Sequence, residues 1–362
     1  MKMNKKVIAL VMCVAMLMVM GLAIVVYAEK EMPSGSYMTL IDEKNNVILQ
    51  TGTMVSVGDE YISADNSRYM VKEVIKNTAR CVYKGKEIMP TVNYDSKKKA
   101  WTFNNSSVPV LSGKKPTIAL YHTHSDESYV PNDGKESING NGGIYDVGQA
   151  LNKKLKALGF NVVYNKNNHN PHDINAYNRS RRTATSLLKQ RPDAIIDVHR
   201  DAVPASQYQT QVKGQEVTKV KLVVGRQNPN MKTNLEFAKR LKAAMDRKDP
   251  GLSNGIYIGQ GAYNQDLSPR AMLIEVGSDT NSKNEAEKGV MLFANTLPTV
   301  LGVSSDNNVN AKTGTMGGKA SPAKKPLANE NRTAGTTIAL VLTVVAAVIA
   351  GYYWLNRRTT EK

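Results

Sequence analysis

Short apolar runs alternate with helix-type segments between residues 114 and 302, and this alternation limits the possible fold more than any other feature. The runs at residues 117–121 and 194–198 are almost continuously apolar, which is typical of strands buried on both faces of a sheet. Residues 146–158 place apolar side chains three or four positions apart, as one face of a helix does. This order predicts an α/β fold with a mostly parallel sheet and helices on both faces.

The rest of this region repeats the same pattern. Further strands are predicted at residues 160–164, 220–224 and 271–276, and further helices at residues 176–190, 234–247 and 285–301. Upstream, residues 29–112 carry short β-rich pieces separated by Gly, Asp and Asn, which predicts a small β-rich accessory domain. We place the α/β domain at residues 113–303. Residues 304–334 contain almost no bulky apolar side chain and are predicted to form a flexible linker.

Two long apolar runs flank these regions. Residues 7–26 follow three lysines, and residues 337–355 precede two arginines. At about 1.5 Å per residue, each run is long enough to cross a hydrocarbon layer of roughly 30 Å. We predict an N-terminal transmembrane anchor within residues 1–28, with a cleaved signal peptide as the alternative, and a C-terminal transmembrane helix at residues 335–356.

The charges predict the topology and exclude one class of partner. Basic flanks stay in the cytoplasm, so residues 357–362 form a cytoplasmic tail and the region between the two runs is extracytoplasmic. The chain has 48 Lys and Arg against 31 Asp and Glu, a formal charge of +17. Outside a membrane this charge favours lipid head groups or anionic cell-wall polymers and argues against nucleic acid. A solvated surface without a specific partner is the alternative.

The cysteine content limits the possible metal ligands. The chain has two cysteines, Cys13 and Cys81, and the first of them lies inside an apolar run. This excludes a disulfide-based fold and a Cys-rich metal site. Any metal site therefore depends on the five histidines and on carboxylates.

Side chains of the metal-binding type stand at the ends of three predicted strands. The first strand continues into a segment that places His124 and Glu127 three residues apart. His199 directly follows the strand at residues 194–198, and Glu275 stands in the last predicted strand. Because ligands of open α/β sheets bind beyond the carboxyl ends of the strands, we expect these side chains to meet at one edge.

The chemistry of this set suits zinc. A catalytic zinc ion takes three nitrogen or oxygen ligands from the protein and keeps a fourth position for water. We predict His124, Glu127 and His199 as the ligands and Glu275 as the general base that takes a proton from the bound water. The reaction class that follows is amide hydrolysis through a tetrahedral intermediate.

Each of these assignments has a structural alternative. His199 could be a core histidine bonded to a neighbouring aspartate, and Glu275 could form an ion pair with Arg200 or Arg270. Arg200 is also a candidate for contacting the substrate or supporting a ligand. Asp146, at the start of a predicted helix, is the second choice for the carboxylate ligand.

The remaining histidines have weaker predicted roles. His122 shares a side of the chain with His124, so it is predicted to support that residue or to exchange roles with it. His169 and His172 lie in a loop rich in Asn and Pro and are expected at the surface. Of these two, His172 is the candidate for contacting the substrate.

Five motifs in the α/β region resemble those of the stage II sporulation protein P family. They are, in order, Tyr-His-Thr-His-Ser-Asp-Glu-Ser-Tyr at residues 121–129, Asp-Val-His-Arg-Asp-Ala at 197–202, Gly-Arg-Gln-Asn-Pro-Asn at 225–230, Tyr-Asn-Gln-Asp-Leu at 263–267 and Leu-Ile-Glu-Val-Gly at 273–277. The similarity extends over most of residues 114–302 and keeps the order of the family's motifs.

The resemblance implies a peptidoglycan hydrolase of endospore-forming bacteria, related in fold to the zinc N-acetylmuramoyl-L-alanine amidases. Such an enzyme cleaves the amide between N-acetylmuramic acid and L-alanine, and the family is also credited with endopeptidase action on peptide cross-links. The resemblance also implies that the protein acts at the septal or forespore-engulfing membrane, alongside sporulation proteins D and M. His124 and His199 match the family's zinc histidines and Glu275 matches its catalytic glutamate, whereas the ligand role of Glu127 is our inference.

Two points keep other interpretations open. Members of the family are pictured with one N-terminal anchor, so the second predicted span is a departure from the pattern. The alternative functions are a zinc carboxypeptidase or endopeptidase acting only on wall peptides, and a non-catalytic wall-binding scaffold. The carboxypeptidase requires an arginine for a terminal carboxylate, for which Arg179, Arg181 and Arg182 are the candidates.

Overall fold

The computed structural model of the protein describes residues 31–95, 100–103, 106–107 and 115–302. The strands are β1 (Met38–Ile41), β2 (Val47–Thr51), β3 (Glu60–Ile62), β4 (Ser67–Ile75), β5 (Thr78–Lys86), β6 (Val92–Asp95), β7 (Ala100–Phe103), β8 (Ser106–Ser107), β9 (Thr117–Tyr121), β10 (Asn161–Tyr164), β11 (Ala194–Asp201), β12 (Gln209–Val212), β13 (Gln215–Thr218), β14 (Val220–Gly225), β15 (Ser253–Gly259) and β16 (Ala271–Ser278). The helices are α1 (Val130–Asp133), α2 (Ile144–Ala157), α3 (Ala176–Leu188), α4 (Met231–Lys248), α5 (Lys283–Ala294) and α6 (Leu297–Leu301). Short 3₁₀ helices lie at Ala205–Gln207 and Gln265–Leu267.

Eleven of these strands form one sheet, in the spatial order β10-β9-β11-β16-β14-β15-β3-β4-β5-β1-β2. The strands β10, β9, β11 and β16 are parallel, and β14 is parallel to β15. Where the two sets meet, β14 runs antiparallel to β16. The mostly parallel sheet predicted for the α/β region is therefore confirmed, with one antiparallel junction inside it.

Helices cover this part of the sheet on both faces. Alternate strand residues such as Ile118 and Leu120 pack into the same core as the apolar faces of α2, α4 and α5. Their neighbours Ala119 and Tyr121 point the other way and pack with Leu187 of α3. The predicted two-sided arrangement is confirmed, and it explains why the parallel strands are apolar at nearly every position.

Two details of the α/β region differ from the sequence-based expectation. The predicted helix at residues 285–301 is two helices, α5 and α6, separated at Asn295 and Thr296. Strand β15 was not predicted, because its sequence places glycines on both sides of a short apolar stretch. Gly255 has a φ of +81°, and a Cβ there would meet the Ile62 carbonyl oxygen, so a glycine is required where β15 passes β3.

Strands β1 to β5 of the upstream β-rich segment continue the same sheet, whereas β6, β7 and β8 form a separate three-stranded sheet. Strand β3 pairs antiparallel with β15, joining Ile62 to Ile256, and β4, β5, β1 and β2 extend the sheet from there. Tyr61 of β3 packs in one apolar cluster with Tyr257 of β15 and Leu273 of β16. The described residues therefore show no separate small β-rich domain at residues 29–112, and all of them belong to one compact unit.

None of the helices in the described ranges is long and apolar enough to cross a membrane. Both predicted transmembrane segments, at residues 7–26 and 337–355, and the predicted linker at residues 304–334 lie outside those ranges. They remain predictions from the sequence.

A buried ion pair ties the upstream strands to the α/β strands. Lys221 of β14 is 1% exposed and pairs with Asp201 at the end of β11. Asp201 also accepts hydrogen bonds from the Gly52 backbone N–H at 2.7 Å and from the Tyr208 hydroxyl at 2.9 Å. Lys221 in turn donates to the Thr51 hydroxyl at 3.1 Å. Three separate parts of the chain thus share one buried charge network.

Replacing Asp201 with alanine should destabilise the fold by about 3–5 kcal/mol, because it leaves the buried Lys221 ammonium without its counter-charge. Urea unfolding of the purified chain, followed by circular dichroism, measures this change. The control is Glu73→Ala, which removes an exposed pair with Arg80 at 3.9 Å and should cost no more than about 1 kcal/mol. Equal effects of the two substitutions would contradict the role assigned to the buried network.

Candidate metal centre

Three parallel strands bring the candidate residues to one edge of the sheet. His199 lies on β11 and is the register partner of Glu275 on β16. Strand β9, on the other side of β11, continues at its carboxyl end into residues 122–128, all of which are buried. His124 and Glu127 belong to that segment. The expected meeting of strand ends is thus present in the structure.

His124 and His199 form the centre of this group. Their ring centroids lie 5.2 Å apart, and the residues are 4% and 2% exposed. Neither ring nitrogen of His124 makes a hydrogen bond, and neither does Nε2 of His199, although carboxylate oxygens of Glu31 and Asp197 lie 3.1 and 3.0 Å from the two Nε2 atoms. Buried imidazole nitrogens without partners are costly, and a metal ion would satisfy them. Burial also lowers the pKa of His124 to about 4, which keeps its ring in the neutral form that binds metals.

Two carboxylates hold the His199 ring in place. Glu127 Oε1 lies 3.1 Å from His199 Nδ1, and Asp197 Oδ1 lies 3.0 Å from Nε2. The other oxygen of Glu127 accepts the Arg200 backbone N–H at 2.9 Å. Burial lowers the pKa of His199, but the charges of Asp197 and Glu127 outweigh it and hold the pKa well above its usual value. A carboxylate on the second nitrogen is the usual way of orienting a metal-binding histidine.

Glu275 is the free carboxylate of the group. It is 6% exposed, and its Oε2 has no hydrogen-bond partner. Burial, reinforced by the charge of Asp201, raises the pKa of Glu275 well above its usual value. A cavity of about 20 Å³, enough for one water-sized group, is lined by Glu275, His199 and Glu127 among others. A perturbed carboxyl group beside such a cavity is a candidate for proton transfer.

Glu31 is a member of the group that sequence analysis missed. Its Oε1 lies 3.1 Å from His124 Nε2, and its Oε2 lies 2.7 Å from His172 Nε2. Ligand atoms of Glu31, His124 and His172 all lie within 4.8 Å of one another, close enough to hold a metal ion. No motif or spacing links Glu31 to the histidines, since it stands 93 positions before His124 in the sequence.

His172 lies inside the site as well. Its ring stacks on that of His124 with centroids 3.9 Å apart, and its Nδ1 lies 3.1 Å from Asp126 Oδ1. Burial lowers the pKa of His172, but the bonds to Asp126 and Glu31 outweigh it and raise the pKa to about 10. His172 therefore carries a positive charge in this arrangement.

The other predicted residues lie around the group without a free ligand atom. Both ring nitrogens of His122 are used, by the Val198 carbonyl and the Tyr164 hydroxyl, each at 2.8 Å. The Arg200 guanidinium donates to the Glu136 carbonyl at 2.7 Å.

Two expectations from the sequence meet a different arrangement. Asp146, the second choice for a carboxylate ligand, is 59% exposed and pairs with Lys283 at 2.8 Å. His169 was expected at the surface and is 4% exposed, so that expectation is wrong. Its two nitrogens bond the His122 carbonyl at 2.7 Å and the Thr183 hydroxyl at 2.8 Å, which allows burial in a loop of polar composition.

The fold and the group together define an α/β protein with a candidate metal centre at the carboxyl ends of its parallel strands. The donor set, imidazoles with carboxylates, is one that zinc accepts. The particular family follows from comparison with known proteins.

The chain belongs to the stage II sporulation protein P family, whose family model matches residues 37–298, more than half of its length. The resemblance stated from the sequence motifs is thereby confirmed. Stage II sporulation protein P of Bacillus subtilis (strain 168) is 30% identical over 196 residues, an alignment that covers 49% of each chain. The chain therefore spans about half the length of this curated relative.

Solved structures of amidases also show similarity. The N-acetylmuramyl-L-alanine amidase Ami1 of Mycobacterium smegmatis is 17% identical, with a TM-score of 0.35, over 53% of this chain and 97% of its own. The CwlD amidase of Clostridioides difficile, solved in complex with the GerS lipoprotein, is 14% identical, with a TM-score of 0.36, over 52% of this chain and 98% of its own. Because both TM-scores are below 0.5, these likenesses support no further conclusion.

Proposed function

We propose that the protein is a zinc-dependent peptidoglycan hydrolase that cleaves the amide between N-acetylmuramic acid and L-alanine, and also peptide cross-links. The observation that carries the proposal is the meeting of His124, His199 and Glu275 at one strand edge, with buried nitrogen and oxygen atoms that lack partners. Membership of the sporulation family supports the cell wall as the substrate.

The residues divide the chemical work between them. His124 and His199 are the proposed zinc ligands, and Glu127 is the proposed carboxylate of the set. When bound, zinc supplies a Lewis acid and lowers the pKa of a water molecule to about 7. Glu275, buried and free on Oε2, accepts the proton of the attacking water and delivers it to the departing amine. A zinc-bound His199 has one ring nitrogen left, and the carboxylates of Asp197 and Glu127 beside the ring orient it through that nitrogen.

We also propose the cellular setting predicted from the sequence. The apolar runs at residues 7–26 and 337–355 would anchor the protein in the cell membrane, with the described region on the extracytoplasmic side. On the basis of its family, we propose that the protein acts at the septal or forespore-engulfing membrane. We also propose that it works there with sporulation proteins D and M. The formal charge of +17 suits contact with anionic wall polymers.

Two of the three arginines that are candidates for the carboxypeptidase alternative already form ion pairs. Arg179 bonds Asp173 at 2.6 Å, and Arg181 bonds Asp266 at 2.5 Å, so neither is free to receive a terminal carboxylate.

The proposal is tested with the purified full-length chain and isolated cell walls, with and without a zinc chelator. We expect stem peptides with a free L-alanine amine to appear and glycan to lose its peptides, with both changes abolished by the chelator and restored by added zinc. Mass spectrometry of the soluble products measures this outcome. New peptide termini on glycan that keeps its stem peptides would favour an endopeptidase alone. Bound but intact wall would favour a scaffold.

A further inference from the structure

The Glu31 carboxylate fills a cradle made by two histidines. His124 Nε2 and His172 Nε2 approach its two oxygens, at 3.1 and 2.7 Å respectively. Asp126 holds the far side of the His172 ring at 3.1 Å, so that ring has a support besides Glu31. The built arrangement is that of a binding site for one carboxylate group.

The segment that carries Glu31 lies on the surface of the site. Residues 31–35 line a cleft of about 580 Å³ together with His124, His172 and Arg200. Glu31, Pro33, Ser34 and Gly35 are exposed, whereas His124 beneath them is buried. The segment precedes residues 37–298, the part of the chain that the family model matches. We call residues 31–35 the strap.

Besides the contacts of Glu31 with the histidines, the strap is held by the packing of Met32 against the apolar cluster that contains Tyr61 and by a few hydrogen bonds. Its backbone joins the rest of the chain through the Met32 N–H, which donates to the Gly52 carbonyl at 2.7 Å, and through a bridge between Glu31 and Thr53. Ser34 also donates to the Glu136 carboxylate. The Glu31 side chain is 36% exposed, so water and dissolved carboxylates reach it although the two histidines beneath it are more buried. Another carboxylate of the same chemistry can therefore exchange with it.

We propose that the His124–His172 cradle is a subsite for a carboxylate of an acidic wall peptide, and that the strap occupies it with Glu31 as an internal substitute. This inference deepens the proposed function and rests on it for the identity of the substrate. Binding of the peptide displaces Glu31 and opens the cleft. The strap thus limits access to the reacting centre until an acidic peptide arrives.

The test measures binding of a small acidic peptide to the zinc-loaded full-length chain. The probe is an L-alanyl-γ-D-glutamyl dipeptide, and the comparison is the same dipeptide with its carboxylates amidated; calorimetry measures both. Glu31→Gln and Glu31→Ala should bind the acidic probe up to about fivefold more tightly than the unchanged chain. His172→Ala should weaken its binding, and the amidated probe should gain nothing from either Glu31 variant.

Two further readouts complete the test. Zinc should pass to a colorimetric chelator faster from the Glu31 variants, while the zinc content before chelation stays at the level of the unchanged chain. Glu73→Gln, an exposed glutamate of β4, is the matched control and should leave binding and zinc release unchanged.

The outcomes separate this inference from the proposed function. If both Glu31 variants show unchanged affinity and unchanged zinc release, the proposed role of the strap is contradicted. Loss of zinc from them before chelation would also overturn it, since Glu31 would then be a ligand. If the Glu31 variants bind the acidic probe more tightly but the chain hydrolyses no wall material, the role of the strap is supported and the hydrolase function is contradicted.

Discussion

Replacing His124 with alanine is expected to abolish zinc retention and wall hydrolysis while the metal-free chain still folds. The buried ring makes no hydrogen bond, so its removal loses the contact of Nε2 with Glu31 and the packing against His172 but breaks no hydrogen bond. A zinc ligand, by contrast, cannot be spared from a set of three. Elemental analysis gives the zinc content, and urea unfolding of the metal-free chain gives the stability.

His122 is the matched control, two positions away in the same buried segment. Both of its nitrogens bond protein oxygens, at 2.8 Å each. His122→Ala should therefore keep its zinc and lose about 1–3 kcal/mol of stability, because it leaves buried polar groups without a partner. If His122→Ala loses zinc and His124→Ala keeps it, the two histidines have exchanged the roles assigned to them.

Replacing Glu275 with glutamine should leave zinc content unchanged and lower the rate of wall hydrolysis by about 10²–10⁴-fold. Glutamine keeps the size of the side chain but cannot accept a proton from an attacking water. Release of stem peptides under single-turnover conditions measures the rate. Hydrolysis at the rate of the unchanged chain would show that Glu275 is not the general base.

Glu127→Gln is the informative comparison for this variant. Glu127 is the proposed carboxylate ligand and also lies 3.1 Å from His199 Nδ1, so Glu127→Gln should abolish zinc retention, as His124→Ala does. The two glutamates are thus expected to differ in which quantity they change. Glu275→Gln is expected to lower the rate of turnover with zinc bound, whereas Glu127→Gln is expected to abolish zinc binding.

The sequence predicted the core of the α/β region well because burial on both faces leaves a clear pattern. The runs at residues 117–121 and 194–198 are strands β9 and β11, and the helix expected at residues 146–158 is α2 at Ile144–Ala157. Parallel order alone then brings the ends of β9, β11 and β16 to one edge. His124, His199 and Glu275 could be chosen on this basis without any tertiary detail.

The parts that were missed depend on contacts between distant positions. Glu31 reaches His124 because the upstream strands fold against the α/β strands, where Gly52 bonds both Met32 and Asp201, and no local pattern encodes these contacts. His169 was expected at the surface because its neighbours in the sequence are polar. Two specific hydrogen bonds compensate for the loss of water around its buried ring. Composition describes the average environment of a loop and not the partners of one side chain.

The pairing of β3 with β15 has a consequence for any attempt to work with a shortened chain. A fragment that begins near residue 113 would lack β3, and Ile256 and Ile258 would then lose their cross-strand partners. The bared N–H and C=O groups of β15 would form an open sheet edge with apolar side chains, a template on which other chains assemble. The upstream strands thus cover an edge of the α/β region that would otherwise favour self-association.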